Sequence, residues 1–232
     1  MDVSVAGLIF DKDGTLFDFG ATWDAWAASV ISDLSGGDAA LARRIADATR
    51  YDLERGAFRP DSPVIAGTNR EAAECVASAL PGRTVEEIEH YLMISSCDAP
   101  LREAVPLVPY LSALAARGLK LGVVTNDTER GAHAHLDAVG ARQGFDFVAG
   151  FDSGFGMKPG PGPLLAFAEA VGLAPASVVM VGDSTHDLIS GRRAGMRTIG
   201  VLTGPARADE LAPLADAVLP DIGHIPDWLD QL

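Results

Sequence analysis

Four short runs in this 232-residue chain are almost wholly apolar and end in, or against, polar residues: 5–11 (VAGLIFD), 119–126 (LKLGVVTN), 177–183 (SVVMVGD) and 197–202 (RTIGVL). A strand with one face in water alternates apolar and polar residues. An unbroken apolar run of this length reads instead as a strand buried on both faces of a parallel sheet. Weaker strand signals lie at 145–150 and 217–220, and helical periodicity falls between the strands at 109–117, 130–139, 163–171 and 186–194. Strand alternating with helix at this spacing predicts an α/β fold, a Rossmann-like parallel sheet held between helices.

One interval breaks the rhythm. About 105 residues separate the first apolar run from the second, where a βα connection takes roughly 2–6 residues besides its helix. Helical patterns at 23–35, 39–49, 69–80 and 85–95 fill the interval, punctuated by Gly36-Gly37, the 60–63 stretch and Pro81-Gly82. The expectation is an all-helical subdomain at 20–104, inserted into a core made of 1–19 and 105–232. Trp23 and Trp26 are expected to pack that subdomain or cover a site entrance.

Charge narrows the function. With 32 Asp plus Glu against 18 Lys plus Arg, the formal charge is −14. A field of that sign repels nucleic acid and anionic lipid, so neither is an expected partner. A 48% apolar composition still permits a substantial core, and no stretch approaches the ~20 apolar residues of a membrane span. Two cysteines without metal-type spacing and an N-terminus without a basic leader fit a cytoplasmic protein; the sequence leaves monomer and homodimer both open.

In an open α/β sheet, ligands bind beyond the carboxyl ends of the strands. Three of the runs deliver unusual residues there. The first ends in Asp11-Lys12-Asp13-Gly14-Thr15, the second in Thr125-Asn126-Asp127, and the third in Gly182-Asp183-Ser184-Thr185-His186-Asp187, while Lys158 sits in the proline-rich loop MKPGP. Carboxylates converging on one edge repel one another and call for a cation. An all-oxygen set favours a hard ion, Mg²⁺ above Ca²⁺ where protein ligands are few. With a second carboxylate able to shuttle a proton, and a Thr hydroxyl and a Lys to hold an oxyanion, the set suits phosphoryl transfer. Taken singly, each acid also fits a turn or a helix cap; Asp127 is expected to cap the helix after it. His133 and His135, two apart on a helical pattern, face different ways and form no metal pair.

The four stretches DKDGT, VVTND, MKPGP and GDSTHD resemble, in order and strand context, the four motifs of the haloacid dehalogenase superfamily. They span almost the whole expected core. The resemblance implies that Asp11 attacks phosphorus to form an aspartyl-phosphate, and that Asp13 protonates the leaving oxygen and then activates water. It implies Mg²⁺ on the Asp11 carboxylate, the Asp13 backbone carbonyl and Asp183, with Asp187 orienting a metal-bound water. Thr125, Lys158 and the backbone N–H of Asn126 would hold the phosphoryl oxygens. Members that displace a halide lack an aspartate at the position of Asp13, since halide needs no proton; its presence favours a phosphatase.

An insertion after the first motif is similar to the helical cap of the phosphoglycolate-phosphatase-like subgroup. That implies a small phosphorylated metabolite as substrate, a phosphoglycolate-like or sugar phosphate, with hinges at 17–22 and 101–106. The only lysines are Lys12, Lys120 and Lys158. None lies in the insertion, which excludes a cap-lysine Schiff base. Sugar phosphomutases of the subgroup share all four motifs and stay as an alternative, as does a non-catalytic binder of a phosphorylated ligand. Arg50, Arg55 and Arg59 in RYDLERGAFRPDSP are candidates for substrate contacts.

Overall fold

The computed structural model describes residues 4–65 and 67–232; residues 1–3 of the expected first segment lie outside that description. The chain separates into two compact units, one built from the residues up to Asp18 with Glu103–Leu232, the other from Phe19–Arg102.

The first strand, β1 (Gly7–Phe10), is buried at every position. After it the chain enters the Phe19–Arg102 unit through a π-helical turn, Gly20–Asp24. Helices α1 (Ala25–Ser35) and α2 (Ala39–Thr49) follow, the second capped by Asp38, whose carboxylate accepts the Ala40 and Leu41 N–H groups. Two short strands, β2 (Tyr51–Asp52) and β3 (Ala57–Phe58), then pair as an antiparallel ribbon. This ribbon departs from the all-helical expectation for the segment. It is tied to the start of α1 by Tyr51 Oη donating to Asp24 O at 2.9 Å and Phe58 N–H donating to the Asp24 carboxylate at 2.9 Å. Helices α3 (Asn69–Ala79) and α4 (Val85–Ser96) close the unit, each opened by a reciprocal capping box, Thr68 with Glu71 and Thr84 with Glu87. Their apolar faces meet α1 and α2 in a core that includes Val30, Ile31, Ile45, Val76, Ile88 and Leu92.

The other unit resumes with α5 (Leu107–Ala116), then β4 (Lys120–Val124), α6 (Glu129–Ala138), β5 (Phe147–Ala149), α7 (Gly162–Ala170), β6 (Val178–Gly182), α8 (Thr185–Arg193), β7 (Arg197–Val201) and β8 (Ala217–Leu219). Among the described residues, six strands form one parallel sheet in the order β5-β4-β1-β6-β7-β8. The apolar runs are strands because both faces are covered: β6 is buried throughout, and Ile9, Val124, Val178 and Met180 pack with Leu164 and Phe167 of α7. Strand order reverses at β1, which pairs with β4 from Gly7–Lys120 to Phe10–Val123 and with β6 from Gly7–Val178 to Phe10–Val181. A crevice at a reversal of this kind is where open α/β sheets bind ligands. The register brings the residues after Phe10, Val124 and Gly182 to one sheet edge.

At Gly122 in β4, an added Cβ would lie 2.5 Å from the Phe167 ring, which is wholly buried. The absence of a side chain there is what lets α7 seat an aromatic against the sheet. Gly122→Ala is therefore expected to lower stability by about 1–3 kcal/mol through overpacking. Chemical denaturation reads the change, and an unaltered midpoint would contradict this packing account.

Candidate active site

The β1–β6 pairing carries on to Asp11, whose N–H donates to Val181 O at 2.9 Å, and the chain then folds back on itself. Leu16 and Phe17 N–H both donate to Lys12 O, at 2.9 and 3.1 Å, and Gly14 N–H donates to Phe17 O at 2.7 Å. Gly14 makes the turn at φ +79°, and a Cβ there would overlap the Asp183 carboxylate. The DKDGT loop thus needs glycine twice over, for its left-handed backbone and for room beside Asp183.

Beyond β6, Asp183 is buried, and its Oδ1 lies 3.4 Å from Thr15 Oγ1. Ser184 is the N-cap of α8 and Asp187 its capping-box partner, the Asp187 carboxylate accepting from Ser184 N and Oγ at 3.0 and 2.7 Å. The other Asp187 oxygen lies 2.7 Å from Lys158 Nζ, which also reaches Asp11 Oδ1 at 2.6 Å and donates to Val124 O at 2.8 Å. Lys158 is held there from its backbone. Its N–H donates to Asn126 Oδ1 and its C=O accepts from Asn126 Nδ2, both at 3.0 Å. The side chain of Asn126 therefore fixes the lysine loop. The loop is secured further by Ser190 Oγ on Gly160 O at 2.6 Å and Arg193 on Pro159 O at 3.0 Å.

Among the described residues, Asp11, Asp183 and Asp187 form a buried cluster in which one oxygen of each lies within 4.8 Å of the others. Burial pushes the Asp11 carboxyl up to about 7; Lys158 opposes that, and Asp187 and Asp13 add to it. Burial raises Asp183 well above the usual carboxylate range, with Asp187 and Asp11 repelling its charge. Burial also disfavours the Lys158 ammonium, but Asp11 and Asp187 outweigh it and hold the group above its ordinary value. Three carboxylates against one ammonium leave a deficit of two positive charges in a dry setting. An all-oxygen cluster with that deficit fits a divalent cation.

Thr125 is buried, and its hydroxyl accepts the Asp127 N–H at 3.0 Å, which leaves its own proton to donate. Asp13 stands apart from the cluster, partly exposed, with its carboxylate on Lys12. Seven residues singled out from the sequence, Asp11, Asp13, Thr125, Asn126, Lys158, Asp183 and Asp187, thus all belong to the unit that carries the parallel sheet. Asp127 does not cap α6 as expected: Thr128 does, accepting Gly131 N–H at 3.0 Å, and Asp127 turns to Lys12 at 3.2 Å. Arg50, Arg55 and Arg59 are exposed in the other unit, and Arg50 is paired with Asp61.

Sequence reasoning missed three contributors. Thr203 Oγ1 donates to Gly14 O at 2.6 Å, and Gly204 passes so close to Asp183 that any Cβ would collide with it. The Leu202-Thr203-Gly204 stretch just after an apolar strand was the available signal. The third is Lys12, wholly buried between the two aspartates of its own motif. The scarcity of lysine in the chain was the signal that could have found it.

Comparison with known proteins gives the family. The family model for haloacid dehalogenase-like hydrolases matches residues 84–201. A phosphoglycolate phosphatase of Rhodospirillum rubrum is 31% identical over 96% of this chain and 90% of its own length. That of Aquifex aeolicus is 30% identical over 89% of each chain. Among solved structures, a haloacid dehalogenase family hydrolase from Deinococcus radiodurans with bound phosphate and sodium superposes with a TM-score of 0.67 at 21% identity, covering 99% of this chain and 97% of its own. A hydrolase from Pseudomonas syringae does so at 0.70 and 19%, covering 98% and 99%. With its strand-end acids, buried lysine and sheet order in place, the chain belongs to the haloacid dehalogenase-like hydrolases, as an enzyme of phosphatase type.

Proposed function

We propose that the protein is a Mg²⁺-dependent phosphatase that hydrolyses a small phosphate monoester through an aspartyl-phosphate on Asp11. The observation that carries this is the buried cluster of Asp11, Asp183 and Asp187, with Lys158 bridging two of its members. Two relatives matched along nearly their whole length are phosphoglycolate phosphatases, which puts 2-phosphoglycolate first among substrates, with sugar phosphates next.

The residues divide the work. Asp11 attacks phosphorus as the ester P–O bond breaks, and Asp13 gives a proton to the departing oxygen. Asp13 then takes a proton from the water that attacks the acyl phosphate, releasing inorganic phosphate and restoring Asp11. Lys158 offsets charge on the transferring oxygens and holds the Asp11 carboxylate in a fixed direction. The Thr125 hydroxyl and the Asn126 backbone N–H supply further donors. Asp11, Asp183 and the Asp13 carbonyl would hold Mg²⁺, which supplies Lewis-acid stabilisation of the phosphoryl oxygens when bound. Asp187 positions Lys158 and closes the start of α8. The Phe19–Arg102 unit acts as the cap of this enzyme, its insertion falling between the first two strands that carry site residues.

Release of phosphate from 2-phosphoglycolate and from an aryl phosphate is expected to require Mg²⁺ and to fall at least ~10³-fold in Asp11→Asn. A folded, Mg²⁺-loaded protein that turns over no phosphate ester would sink the proposal. Isomerisation of a sugar phosphate without phosphate release would mark a mutase instead.

Cation binding has its own signature. Without Mg²⁺, folded Asp11 and Asp183 keep protons at pH values where the unfolded chain has released them. The folded state then binds more protons, so its stability falls as pH climbs from about 4 through about 7. Mg²⁺ removes the cause of that loss and must displace those protons at low pH. It is expected to raise the melting temperature more at pH 8 than at pH 5, and equal shifts would count against this cluster as the cation site.

A further inference from the structure

Lys12 occupies the position between the two aspartates of the DKDGT loop and has no exposed surface. Its ammonium lies 2.8 Å from each Asp13 oxygen, 3.2 Å from the Asp127 carboxylate and 2.9 Å from His135 Nδ1. An ammonium has three N–H bonds and no lone pair, so His135 Nδ1 accepts, which puts the ring proton of neutral His135 on Nε2. The His135 ring is itself wholly buried and stands edge to face with Phe17, centroids 6.2 Å apart. Asp127 is anchored on its other side, its Oδ1 accepting Thr128 N–H at 2.6 Å.

These contacts join three elements at one nitrogen: the loop after β1, the loop after β4, and the His135 turn of α6. The nitrogen touches both oxygens of Asp13, so it sets the plane of that carboxyl group as well as its distance. What distinguishes it from Lys158 is its carboxylate partners: Lys12 holds Asp13 and Asp127, while Lys158 holds Asp11 and Asp187.

We propose that Lys12 is a positioning residue for proton transfer by Asp13, with Asp127 and His135 holding the ammonium in place. This rests on the assignment of Asp13 as the proton-transferring group, and the test separates the two. Only an ester with a poor leaving group needs a proton donor in the step governed by kcat/KM. Lys12→Met keeps an unbranched side chain out to the ε position and removes the ammonium. It is expected to lower kcat/KM for an alkyl ester, 2-phosphoglycolate, roughly tenfold more than for p-nitrophenyl phosphate, in the direction of a lost general acid. Asp13→Asn, run alongside, is expected to show the larger split.

A residue that merely supports the fold or the nucleophile would lower both substrates by one factor. A uniform fall in Lys12→Met with a split in Asp13→Asn overturns the positioning role alone. The absence of a split in Asp13→Asn overturns the assignment beneath it, and the inference with it. Should Lys12→Met fail to fold by circular dichroism, His135→Ala decides. It removes one anchor of the ammonium without touching Asp13, and the same selective loss, smaller in size, is expected. A uniform loss there overturns the inference.

Discussion

Burying carboxylates at the end of a parallel sheet is the demand around which this protein is built. An unpaired ionised acid in a dry site is too costly to persist. Five acids are brought to the site region, and two ammonium groups pair with four of them. Lys158 stands between Asp11 and Asp187, and Lys12 between Asp13 and Asp127. Asp183 meets the Thr15 hydroxyl instead of an ammonium. That unevenness makes the cluster receptive to a cation instead of merely salt-bridged, and burial raises the Asp11 and Asp183 carboxyls above the range of exposed acids.

Steric permission matters as much as charge. Gly14 and Gly204 approach Asp183 from two loops, and Gly182 leaves room for the Asp187 side chain. A methyl group at any of these would collide with a carboxylate side chain of the cluster. The Thr203 hydroxyl on Gly14 O ties the two glycine loops together. Lys158 depends on a different device, a side-chain amide imitating a strand: Asn126 exchanges both hydrogen bonds with the Lys158 backbone.

Strand ends were legible because burial on both faces imposes an unbroken apolar run, which fails visibly at Asp11, Thr125 and Asp183. Other features left no comparable trace. The two-residue strands β2 and β3 are too short to show a period of two, and their place depends on Asp24, over 25 residues away. Thr128 and Asp127 are both acceptable helix caps by chemistry, and only the pull of a distant ammonium decides between them. Lys12 was hidden by its company, since a lysine between two aspartates looks solvated. Its more distant partners, Asp127 and His135, are more than a hundred residues further along.

The same scarcity of lysine leaves the protein with an unusual reactive surface. Of its three lysines, two are buried and engaged, and Lys120 alone is half exposed, 49% of its side chain in contact with solvent. Lys120 opens β4 at the sheet edge opposite the one where Thr125 follows it. Among side chains, an amine-directed reagent therefore meets a single exposed lysine, at the far end of a strand from the site, and its one competitor is a free α-amino group. A tether or fluorophore attached at Lys120 would sit at the opposite end of β4 from Thr125.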